Sequence, residues 1–181
     1  MSSTRSWSVI LPVKLLADAK TRLHVDHGRA ELALAFFTDV LQALRSTAMV
    51  EQIHVVSDDS DVQAVVQASA DERVRVVQQG PVAGLNPAIR HAASHIESLH
   101  SNAPIAVIAS DLPCLDAATI TMVLVQAGHH ERAFVTDVQG IGTTMLFRTA
   151  GPSLDPAFGG RSRARHRKLG YIELSESNQI E

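Results

Sequence analysis

Cysteine is almost missing from this 181-residue chain: Cys114 stands alone. That excludes an internal disulfide and a cysteine zinc site, and it suits a reducing compartment. Cys114 itself reads as a small packing residue in preference to a nucleophile. An excess of positive charge is also missing. The net charge of -3 argues against a general nucleic-acid surface. Apolar runs never exceed strand length, so no segment is expected to cross a bilayer. Residues 1–6 lack the apolar core of a signal peptide, which predicts a cytoplasmic protein. Repeats and low-complexity tracts are absent. The length suits one well-buried domain over residues 1–181, with 1–6 and 175–181 frayed at its ends.

What is present is an alternation of strand and helix signals. Short β-branched runs at 7–13, 52–57, 73–77 and 104–109 read as strands, with helical patterns between them. The clearest of these is 29–45, where Leu32, Phe36, Val40 and Leu44 recur every four residues. Helices are also expected at 58–70, 86–99, 116–126 and 162–169, and strands at 132–136, 143–147 and 171–174. Such alternation predicts an α/β fold with a mostly parallel central sheet and helices on both faces.

In open sheets of this kind ligands bind beyond the carboxyl ends of the strands. Asp111 ends the apolar run 104–109 and Pro113 stops it. It is either a metal ligand or a cap for the next helix, and Asp116 is better placed as the cap. Asp137 ends a later strand ahead of the turn Gln139–Gly142. It is either a turn residue or, if its strand lies near that of Asp111, a second carboxylate over the same crevice. Two hard oxygen donors there would suit Mg2+ completed by waters and phosphate oxygens.

The loop after the first strand has neither G-x-x-x-x-G-K nor G-x-G-x-x-G, so P-loop hydrolysis and dinucleotide binding lose support. It carries Lys14, Lys20 and Arg22 instead. These are either solvated charges or a polyphosphate contact made by side chains. Downstream, 158–168 packs five cations and His166 behind Gly159 and Gly160. A helix starting near Ser162 would aim backbone N–H groups at a small acid. A nucleic-acid patch is the rival reading. Arg161, Arg163, Arg165 and Arg167 cannot all share one helical face, which leaves at most two pointing inward.

Taken in order, several of these pieces carry a resemblance. They are the Pro12-Val-Lys14 opening with Lys20-Thr-Arg22, the Gly84-Leu-Asn86 loop, Asp111-Leu-Pro113, Gly140-Ile-Gly-Thr-Thr144 and Phe158-Gly-Gly-Arg-Ser162 through His166. Together they resemble the phospho-acid guanylyltransferases of deazaflavin coenzyme biosynthesis, within the nucleotidyltransferase superfamily that includes molybdenum-cofactor guanylyltransferase. The resemblance implies a single Rossmann-like nucleotidyltransferase domain. Such a domain would join GMP from GTP to the phosphate of a three-carbon acid and release pyrophosphate. The acid would be 3-phospho-D-glycerate or phosphoenolpyruvate, ahead of 2-phospho-L-lactate.

By motif, Lys14, Lys20, Arg22 and Asn86 would bind the nucleotide, with Lys20, Arg22 and Asp111 catalytic. Asp111 and Asp137 would hold Mg2+, and Thr144, Gly159 and Ser162 would bind the acceptor. The implied partners are GTP and the acid, with no nucleic acid or membrane. The product would pass to a downstream transferase, and a homodimer is left open. Gln139, Ile141, Gly160 and Arg161 depart from the family pattern.

Overall fold

The computed structural model describes residues 6–14, 28–149, 151 and 153–174. In chain order these form β1 (Trp7–Pro12), α1 (Arg29–Arg45), β2 (Val50–Val56), α2 (Ser60–Ala68), β3 (Val74–Val77) and α3 (Leu85–Leu99). There follow β4 (Ile105–Ile108), α4 (Ala117–Ala127), β5 (Arg132–Thr136), β6 (Thr143–Arg148), α5 (Ser162–Lys168) and β7 (Ile172–Glu173). The ends lie where the local chemistry puts them. Asp59 caps α2 by accepting from Asp61 N and Val62 N, and Asp116 caps α4 by accepting from Thr119 N at 2.7 Å. Pro87 falls in the first turn of α3, where its missing N–H breaks no helical bond.

The strands form one seven-stranded sheet in the order β3-β2-β1-β4-β6-β5-β7. β1 to β4 run parallel; β6 is antiparallel to both β4 and β5, and β7 runs parallel to β5. The fold is the expected mostly parallel α/β sheet. The condition set above, that the strand of Asp137 lie near that of Asp111, is met only at one remove: β6 folds back between β4 and β5. The β5–β6 turn is short, and its returning strand fills the position that a crossover helix would otherwise have reached. Two antiparallel reversals leave β5 pointing the same way as β4, so Asp111 and Asp137 still end at one edge.

Strand alternation sends side chains to both faces. Val9, Leu11, Ile53, Val55, Ala106 and Ile108 pack with Phe37, Val40 and Leu44 of α1, Val62 of α2 and Ile120 and Leu124 of α4. Ile10, Val56, Ile105, Val107, Phe134 and Leu146 pack with Ala88, Ile89, Ala92 and Ile96 of α3. Each fully buried large aliphatic or aromatic contributes roughly 1.5–3 kcal/mol. The apolar stripe of α1 is buried from Phe37 onward, whereas Leu32 at its start is 38% exposed.

Charged groups tie the sheet together at its amino-terminal edge. Asp71 takes Arg73 at 2.8 Å and Arg45 at 3.1 Å, and these partners, Arg73 foremost, hold its carboxyl well below the usual range. Buried Arg148 at the end of β6 meets Glu97 of α3 at 2.9 Å.

Candidate active site

The carboxyl edge of the sheet gathers most of the residues singled out above. β1 and β4 pair in parallel from Ser8↔Ile105 to Ile10↔Val107, so Lys14, two residues past β1, and Asp111, three past β4, both follow the carboxyl ends of neighbouring strands. Both side chains are exposed. Among the described residues neither makes a hydrogen bond or ion pair. On the other side of β4, Ala109 N donates to Thr144 O at 2.9 Å, which seats Thr144 against the strand tip that leads to Asp111. The Thr144 hydroxyl in turn faces Val135 O and Thr136 O of β5, at 3.4 and 3.3 Å. Lys20 and Arg22 lie outside the described residues.

Asp137 follows β5 and is half-buried. Its carboxylate accepts from Ile141 N at 2.9 Å, and the Ile141 and Gly142 N–H groups hold its pKa below the ordinary value. It is therefore an ionised oxygen donor that also shapes its own turn. Since β6 separates the two strands, β4 and β5 stand about two strand spacings apart, roughly 10 Å. A Cβ added at Gly142 would meet the Asp137 carboxylate. Gly142→Ala is thus expected to break the Asp137–Ile141 bond and lower stability by about 1–3 kcal/mol, read by thermal melting. An unshifted melt would show that the turn relaxes freely.

Asn86 opens α3 and is held by the segment ahead of α5. Its Nδ2 donates to Phe158 O at 3.1 Å and its Oδ1 accepts from Phe158 N at 2.8 Å. Arg165 also donates to Phe158 O, at 3.2 Å. The start of α3 and the segment ahead of α5 are thereby joined through one backbone unit. Gly159 follows with φ +111, a left-handed geometry that suits glycine, and Ser162 is buried at the start of α5.

The clustered arginines do not act as one patch. Arg163 reaches Gly140 O at 3.0 Å and Glu173 at 3.0 Å, Arg167 reaches Glu173 at 2.7 Å, and Arg161 adopts φ 57 at the helix cap.

His166 is the residue that the sequence reading misses: it counts there as one of a basic run, yet it is fully buried. Its Nε2 accepts from Ala157 N at 3.0 Å, so Nε2 carries no proton. Nδ1 then holds the hydrogen and donates to Thr143 Oγ1 at 2.9 Å. Phe134, Phe158 and Tyr171 surround the ring at centroid distances of 5.8, 5.4 and 5.5 Å. Burial, with Arg165 nearby as the smaller cause, pushes its pKa down to about 4. The signal available in the sequence is the four-residue spacing of Ser162 and His166, which sets two non-cationic polar side chains on one face of a helix whose other polar positions are all arginine or lysine.

Residues 7–168 match the family described as guanylyl transferase CofC like. The chain belongs to this family. A phosphoenolpyruvate guanylyltransferase from Streptomyces coelicolor is 41% identical over 171 residues, covering 93% of this chain and 79% of that protein. Solved structures share the fold at lower identity. A 4-diphosphocytidyl-2C-methyl-D-erythritol synthase superposes with a TM-score of 0.61 at 15% identity, covering 96% of this chain and 91% of that one. A Mycobacterium tuberculosis protein solved in complex with manganese does so with a TM-score of 0.54 at 18% identity, covering 95% and 88%. This CofC-like chain is accordingly an enzyme of nucleotidyl transfer.

Proposed function

We propose that this guanylyltransferase transfers GMP from GTP to the phosphate of phosphoenolpyruvate, in the biosynthesis of a deazaflavin coenzyme. The observation that carries the reading is the convergence of Lys14, Asp111, Thr144 and Asp137 on one sheet edge. Similarity to a relative named for phosphoenolpyruvate supports that acid over 3-phospho-D-glycerate and 2-phospho-L-lactate. Lys14, Lys20, Arg22 and Asn86 serve the nucleotide, and Thr144, Gly159 and Ser162 serve the acceptor.

The acceptor phosphate is already ionised near neutral pH, so it needs no general base. One of its oxygens attacks the α-phosphorus of GTP and forms the new P–O bond. The α–β bridging P–O bond breaks, and its electron pair leaves on pyrophosphate. The residues' task is to hold two anions in line and to stabilise charge on the departing group, which falls to Lys20 and Arg22.

The donor set fits Mg2+. Asp111 offers a carboxylate without a partner among the described residues and Asp137 an ionised one, and no cluster of three or more His, Cys, Asp or Glu is formed among those residues. Two carboxylates that leave the remaining positions to water and phosphate are this ion's habit in nucleotide chemistry. Bound between Asp111 and Asp137, it would supply charge screening for the phosphates.

Mass spectrometry of the products from GTP and an equimolar mixture of the three acids tests the reading. Guanylylated phosphoenolpyruvate as the main product is the expected result, and a different main product overturns the choice of acid. Ser162→Ala should raise the KM for the acid about tenfold, as loss of one charged hydrogen bond would, with a smaller effect on the KM for GTP. An equal effect on both would remove Ser162 from the acceptor site.

A further inference from the structure

Two segments proposed to receive the acceptor acid are far apart in sequence and meet through one side chain. Thr143, next to Thr144, follows the glycine turn of the β5–β6 hairpin, while Ala157 lies two residues before Gly159. His166 of α5 spans them: Nδ1 to Thr143 Oγ1 at 2.9 Å, Nε2 to Ala157 N at 3.0 Å. No other described side chain bonds both segments at these positions. Arg163, one turn earlier on α5, adds a bond to Gly140 O at 3.0 Å.

We propose that His166 is a positioning residue for the phospho-acid subsite, a neutral strut that fixes the spacing between Thr144 and Gly159 without touching substrate. The proposal rests on the acceptor-site reading above.

The chemistry of the ring explains why histidine stands here. A strut here must accept from the backbone N–H of Ala157, while the Thr143 hydroxyl can take either role. Neutral imidazole serves both ends with two nitrogens on a rigid plane. Three aromatic neighbours leave that plane little freedom to turn, and burial disfavours the protonated form that would lose the acceptor end. Asparagine places its amide near the Nδ1 position and glutamine near Nε2. Each can therefore remake one end of the strut and not both. A small misplacement of substrate-holding groups can change rates about a hundredfold, so the consequence should appear in handling of the acid.

The test uses the full-length enzyme with GTP and phosphoenolpyruvate, and measures both KM values, kcat and thermal melting. His166→Phe keeps ring size and removes both bonds. It is expected to raise the KM for the acid tenfold or more while the KM for GTP stays within about twofold. His166→Asn and His166→Gln should each recover part of that loss. Thr143→Val removes one bond and leaves the ring in place, so it reports even if the phenylalanine variant does not fold; its expected effect is a three- to tenfold rise in the KM for the acid. In the parent protein, nitrogen NMR should show His166 as the neutral Nδ1–H tautomer. Equal changes in both KM values, or an unchanged KM for the acid in Thr143→Val, would overturn the proposal while the acceptor-site reading survives. A parent enzyme that guanylylates none of the three acids would remove that reading, and this one with it.

Discussion

Asp111→Asn is expected to fold as the parent does and to lose at least about a thousandfold in turnover, equivalent to about 4 kcal/mol of transition-state stabilisation. The two halves of that expectation rest on different observations. Stability should be spared because the exposed Asp111 side chain has no hydrogen-bond or ion-pair partner among the described residues; surface changes of this kind usually stay within about 0.5 kcal/mol. Activity should collapse because an amide keeps the shape of the carboxylate but not its charge, and Mg2+ selects charged, hard oxygen donors. With β6 separating the strands and Asp137 also bonded to Ile141 N, Asp111 is the freer of the two carboxylates and should matter more. Pyrophosphate release from GTP and phosphoenolpyruvate, measured alongside a thermal melt, checks both halves. Turnover close to that of the parent would take Asp111 out of the mechanism.

How much of this was legible in the sequence varies with the kind of information involved. The elements were legible because their signals are local: the β-branched run before Asp111, the four-residue stripe of α1 and the cap at Asp116 each report on a few neighbouring residues. Strand order was not, because pairing is decided by packing between distant segments. The antiparallel return of β6 between β4 and β5 leaves no mark in either strand's own pattern, since both read as short apolar runs. The shared edge does not depend on adjacency. Direction along the sheet, unlike neighbourhood, is preserved by two reversals, so Asp137 still finishes on the side of Asp111.

Residue roles divide in the same way. Lys14 and Asp111 are exposed and have no hydrogen-bond or ion-pair partner among the described residues, a state that an isolated charge at a strand tip can suggest locally. Asn86 stood out only through the family resemblance, and its bonds to the backbone of Phe158, about 70 positions on, were not legible; His166 does not announce itself, because what it does depends on the backbone of residue 157. A basic run was the visible feature of 161–168, and the buried histidine inside it was hidden by its neighbours' charge.

The same burial leads to the second large effect, a steep loss of stability in mild acid. His54 and His166 are 4% and 0% exposed, and each has its pKa pushed down to about 4 from the ordinary 6.5. For His54 the main cause is desolvation, followed by the nearby charges of His95, Arg75 and His100, and its Nδ1 has no hydrogen-bond partner among the described residues. Below pH 6.5 the unfolded chain takes up protons that the folded rings refuse until pH is near 4. The unfolded state therefore binds more protons throughout that window, and stability must fall as pH falls through it. The contribution is fully present above 6.5 and gone below about 4. Each histidine accounts for on the order of 3 kcal/mol, against a total of about 5–15 kcal/mol for a typical domain. Asp71 acts at the far end, because its depressed carboxyl loses its advantage only below the usual carboxylate range. Urea unfolding across this range should show the decline. His54→Leu isolates its source: removing an unpartnered buried nitrogen should leave stability well above pH 6.5 within about 1 kcal/mol of the parent, yet remove about half of the acid-induced loss. A stability profile that stays flat from 6.5 down to about 4 would mean that both rings already meet water in the folded protein.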